Sequence, residues 1–122
     1  MQTVAPGRHY RFINLGIEQS QPKTEHVTQF QGIFGQHIQG HPNIRLRFVG
    51  HSSSPGSANF NLRLSEARAR AFYQMARNAG VPSNQLIDEN NPSHQGETTP
   101  TAENINVHGR AFNRRVELFI TQ

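Results

Sequence analysis

Residues 43–70 read NIRLRFVGHSSSPGSANFNLRLSEARAR, and the order of signals in this stretch decides the fold. Ile44, Leu46 and Phe48 alternate with Arg45, Arg47 and Val49, the period of a strand with one face on a core and the other partly wet. The strand is expected to end near Gly50. His51, Ser52, Ser53, Ser54, Pro55, Gly56 and Ser57 are mostly turn formers with almost no apolar side chains, so they read as an exposed loop at the strand's C-terminal edge. Ser65 then reads as the cap of a helix, with Leu64 and Ala69 as a hydrophobic staple and Glu66 suited to the positive end of the dipole.

On this reading Arg68 falls in the first helical turn, where an exposed cation opposes the dipole by about 0.3 to 1 kcal/mol. Two explanations stand side by side. Free N–H groups, a guanidinium and a serine-rich loop can together form a carboxylate or phosphate site. Alternatively, Arg68 pairs with an acidic side chain such as Glu66 or Glu97. The first predicts that Arg68→Ala leaves stability nearly unchanged, the second that stability falls.

Working outward, 122 residues suffice for one domain with a real core. Met1 to Gly7 reads as a short tail and 8–122 as the domain. Hydrophobic content is low at 34%, yet eight Phe, placed mostly within periodic segments, argue for a folded chain. Met1 to Gly7 has neither the basic start nor the apolar run of a signal peptide, and no apolar run reaches membrane-spanning length. A soluble chain without membrane insertion is the expectation. Without cysteines there is no disulfide or thiol chemistry.

The net charge of +4 comes from eleven Arg and the single Lys23 against eight acids, a balance that favours bidentate contacts with carboxylate or phosphate. The arginines are scattered, and no basic run with interleaved aromatics occurs, so nucleic acid is not an expected partner. Tyr10 to Leu15 reads as a first strand. Val27, Phe30, Ile33, Phe34 and Ile38 follow at helical spacing, giving a helix from about Lys23 to Gln39 that Gly40 and Pro42 stop. Gly32 and Gly35 inside it imply a close packing partner. The second helix is expected from Ser65 to about Ala79. Leu86 and Ile87 suggest a short third strand, Asn90 to Asn106 a polar surface loop, Val107 to Asn113 a turn of helix, and Arg114 to Thr121 the last strand.

Two catalytic or metal readings fail on spacing. His37 and His41 lie four apart, but Gly40 and Pro42 place a helix end there and no third ligand follows, so no metal is expected. Gly50 to Ser54 lacks the second glycine of a nucleophile elbow, so the chain is not expected to be an enzyme.

Gly50 and His51 before a serine-rich turn, Asn61 ahead of Leu64 and Ser65, then Arg68 and Ala69, resemble the signature of the OmpA-like peptidoglycan-binding domain family. The likeness continues through Gly96, Glu97, Pro100, Asn104, Gly109, Arg110 and Ala111 to the closing run Asn113, Arg114, Arg115, Val116 and Glu117. It implies an α/β fold, a βαβαββ two-layer sandwich with a mixed four-stranded sheet packed by two main helices. It also implies noncovalent binding of cell-wall peptidoglycan through its diaminopimelate stem peptide, without a cofactor, in the periplasm or cell envelope.

In the resembling family an arginine at the position of Arg68 takes a carboxylate, with Asn61 and Arg114 at the pocket. The family's loop aspartate, which accepts hydrogen bonds from the ligand's ammonium, is replaced here by Ser53. His51, Ser52, Ser65 and Asn113 are implied as supporting residues. Loss of the acid leaves a second reading open, that of a docking domain for a protein partner in an envelope or secretion assembly.

Overall fold

The computed structural model describes residues 8–16, 19–52, 58–89, 93–96 and 114–122. Along the chain run strand β1 (Arg8–Phe12), helix α1 (Thr24–Ile33) continued by a π turn (Phe34–Ile38), strand β2 (Arg45–His51), helix α2 (Ala58–Ala79), a 3-10 turn (Ser83–Gln85) and strands β3 (Ser93–Gly96) and β4 (Val116–Thr121). The sheet order is β1-β4-β2-β3, with β4 antiparallel to both β1 and β2 and β3 parallel to β2. This is the mixed four-stranded sheet that the family resemblance implied.

Alternation along the strands sends Phe12, Leu46, Phe48, Val116, Leu118 and Ile120 to one face, where they form the core with Phe30, Ile33 and Ile38 of the first helical segment and Phe72, Met75 and Ala76 of α2. β1, β2 and β4 thereby each have one face on the helices. α2 crosses β2 so closely that a Cβ built on Gly50 would lie 1.8 Å from the backbone oxygen of Ser65. Only a residue without a side chain fits between that strand and that helix.

Four local expectations are corrected. β1 ends at Phe12 instead of Leu15, and Asn14 follows in the left-handed region at φ 64. Asparagine tolerates that conformation because its side chain can bond locally. The edge strand is the polar Ser93–Gly96, within the stretch read as loop, whereas Leu86 makes only an isolated parallel bridge to Leu46. A short edge strand needs no apolar alternation, which hid it from a pattern search. Gly32 and Gly35 have nothing within 4 Å of a built Cβ, so no close packing partner explains them.

The largest correction concerns α2, which begins at Ala58, well before Ser65. Its inward stripe is continuous from the start: Asn61, Leu64, Ser65, Arg68, Ala69 and Phe72 are all buried at three- and four-residue spacing. Polar residues occupy Asn61, Ser65 and Arg68, so an apolar periodicity search sees the helix only from Leu64 onward. Ser65 is therefore no cap. Its hydroxyl donates back to Leu62 O at 2.8 Å inside the helix. The expected turn of helix over 107–113 lies outside the described residues.

Candidate functional site

Arg68 sits well inside α2, so the dipole of a helix N-terminus does not act on it. Its side chain is wholly buried and donates to three carbonyls: Nη1 to His51 at 2.9 Å, Nη2 to Gly16 at 2.8 Å and Nε to Gln19 at 2.8 Å. One guanidinium thus ties the end of β2 to the connection that follows β1. Of the expected acidic partners, Glu66 is engaged by Arg70 Nη2 at 2.8 Å, and Glu97 lies outside the described residues. Among the described residues no carboxylate accompanies Arg68. Burial, with the charge of Arg114 adding to it, lowers its pKa to about 10, so the group still carries its charge at neutral pH.

Arg114 stands on the same connection. Its Nε donates to Leu15 O at 2.8 Å, and the Leu15 N–H donates to Arg114 O at 3.1 Å, which locks the entry of β4 to the exit of β1. Ser52 and Asn61 are both buried, and the Ser52 hydroxyl lies 2.8 Å from Asn61 Oδ1 and 3.0 Å from Asn61 O. That contact joins the residue after β2 to the first turn of α2. Arg68, Asn61, Ser52, His51 and Arg114 therefore come together where the end of β2, the start of β4 and the backbone of Leu15, Gly16 and Gln19 meet. Ser65, between Asn61 and Arg68, sets the close approach to Gly50. Ser53 and Asn113 lie outside the described residues.

A second polar cluster lies beside the first and went unassigned in the sequence, although Glu117 was quoted in the closing motif. Glu117 is buried on β4 and gathers two arginine and two histidine side chains. His9 Nε2 and Arg11 Nε lie 3.1 Å and 3.2 Å from its Oε1, and His51 Nε2 and Arg115 Nη2 lie 2.8 Å and 3.6 Å from its Oε2. The His51 contact is off the line of an aligned hydrogen bond and acts as an ion pair when the ring is protonated. Burial by itself would raise the Glu117 pKa. The contact with His51 and the charges of Arg115, His51 and His9 outweigh that and hold it at about 2. His51 is thus buried at the strand end with a partner, and its carbonyl, on the other side, receives Arg68.

A hollow of about 230 Å³ between α1 and α2, lined by Val27, Phe30, Gln31, Gln74, Met75 and Asn78 among others, has no charged side chain in its wall. Among the described residues no group of three His, Asp or Glu side chains is arranged to hold a metal, and no helix is long and apolar enough to cross a membrane.

No family model matches the chain. In sequence the chain is similar to outer membrane porin F of Pseudomonas aeruginosa, 37% identical over 81 residues that span 66% of this chain and 22% of that protein. It is also similar to the peptidoglycan-associated lipoprotein of Legionella pneumophila, 30% identical over 82 residues, 67% of this chain and 44% of that one. The chain thus spans less than half the length of these relatives. In structure it is similar to the peptidoglycan-associated lipoprotein of Burkholderia pseudomallei, with TM-score 0.78, 21% identity, and coverage of 89% of this chain and 88% of that one.

Proposed function

We propose, from the premise that this chain has the OmpA-like fold and relatives among outer-membrane and peptidoglycan-associated proteins, that it is a non-catalytic module binding the stem peptide of cell-wall peptidoglycan. The observation that carries the reading is Arg68: a buried guanidinium that has carbonyl acceptors and lacks a carboxylate among the described residues. An incoming carboxylate supplies the charge-assisted partner that such a group lacks. Arg114 and Asn61 flank it, and the Ser52 contact keeps Asn61 in place.

Diaminopimelate is zwitterionic, and here the ammonium would meet Ser53 where the resembling family has an aspartate. Binding is accordingly weaker than with an acid in the loop, because a neutral hydroxyl accepts from the ammonium without adding the attraction of an opposite charge. Residues 8–122 act as one domain in this reading, placed in the periplasm or at the cell envelope.

Cosedimentation with purified sacculi at low salt tests it. The folded protein should pellet with the wall, and Arg68→Ala should stay in solution. Full recovery of the folded wild type in the supernatant would sink the proposal and leave a docking role in an envelope or secretion assembly in its place.

A further inference from the structure

The sheet has a second face. Tyr10, Phe48 and Leu118 point to the helices or pack against that core, so the alternation turns His9, Arg11, Arg47, Glu117 and Phe119 the other way. Register places His9, Phe119 and Arg47 in one row across β1, β4 and β2, and Arg11, Glu117 and Val49 in the next. Val49 and His51 close one end of this face, while His9, Arg11, Arg45, Arg47 and Phe119 remain exposed or half-exposed.

Charge on the open part is one-sided. Glu117 is its one acid among the described residues, and its oxygens are engaged by His9, Arg11 and His51. Among the described residues Arg45 donates to the carbonyls of Pro42 and Ile44, and the Arg47 guanidinium lies 5.2 Å from the centroid of the Phe119 ring. Neither has a carboxylate partner among the described residues. Both are two residues apart on β2, a separation of about 6.6 Å, which matches alternate side chains of a second extended chain.

We infer that this face docks an extended acidic segment of a partner protein, whose carboxylates pair with Arg45 and Arg47. A single-stranded nucleic acid is the less favoured occupant. Phe119 lies between its neighbours: the His9 ring stacks on it at 4.5 Å and 4°, and Arg47 approaches from the opposite strand. His9 and Arg47 thus already pack on the ring that a base would need for stacking, the contact on which sequence-tolerant single-strand binders rely. The inference is independent of Arg68 and of wall binding.

The test is fluorescence anisotropy of a short fluorescein-labelled oligoglutamate titrated with the full chain at low salt. Saturable binding is expected, weakened about tenfold in Arg45→Glu/Arg47→Glu, the change that about 1.4 kcal/mol produces. Arg70→Glu/Arg77→Glu makes the same change of net charge on exposed α2 positions and should weaken binding far less. Thermal melts verify that each variant is folded, and Arg45→Gln/Arg47→Gln replaces the reversal if it is not. Absence of saturable binding, equal loss in the α2 variant, or tighter binding of an oligothymidylate through the same arginines would overturn the inference.

Discussion

Arg68 has a structural duty as well as the proposed one, and that changes what its removal does. Arg68→Ala leaves the carbonyls of Gly16, Gln19 and His51 without their donor in a buried site, so stability should fall by about 1 to 3 kcal/mol, read as a shift of the urea midpoint. A near-neutral change, which a cation at a helix start would give, is not expected of a residue this deep in α2. Arg68→Lys should recover only part of the loss, because an ammonium cannot reach three acceptors in fork geometry. Unchanged stability in Arg68→Ala would show that the three carbonyl contacts contribute nothing net. Ser53→Asp adds the charge that the proposed pocket lacks, and calorimetric titration with diaminopimelate should show affinity rising by about 1 to 3 kcal/mol. Equal affinities for the two proteins would remove Ser53 from the site.

At the scale of elements, the contact between β2 and α2 decides where the site residues sit. Gly50→Ala pushes a methyl group to 1.8 Å from a backbone oxygen, which a flexible side chain cannot relieve, so strand and helix must separate. A loss of about 1 to 3 kcal/mol is expected, with weaker sacculus binding, because Arg68 and His51 move apart with these two elements. Gly32→Ala is the opposite case. With open space around it in α1, the substitution should stabilise the fold by about 0.5 to 1 kcal/mol. Melting both variants beside the wild type checks the pair, and a stable Gly50→Ala would mean that the close approach is not tight in solution.

Across the whole molecule, Glu117 ties β1, β2 and β4 together through charge, and this makes stability depend on acid. Its folded pKa of about 2 lies below the ordinary 4.5, so the folded state favours the charged form and the stabilisation is complete above the unfolded value. As pH falls from about 5 toward 2 that contribution is lost progressively. Denaturation midpoints over this range should drop more steeply for the wild type than for Glu117→Gln, which has no proton to take up at this position. Parallel curves would show that the carboxylate is not held below its usual range.

The sequence by itself determined the strand β2, the core alternation of β4 and the family likeness, because these rest on local periodicity and on short motifs. Arg114 was singled out only through that likeness, and the expectation that Arg68 stands in a first helical turn did not hold. What only the tertiary structure decided is where polar residues serve as interior: Asn61, Ser65 and Arg68 continue the buried stripe of α2, and a reading by apolar spacing starts that helix too late. Partners distant in the chain were equally hidden. The carbonyls that hold Arg68 come from residues 16, 19 and 51, and the arginines and histidines around Glu117 from β1, the end of β2 and the residue before β4. Backbone acceptors carry no sequence signature, and the pairing of a charge with its partner depends on the sheet order, which no local pattern specifies.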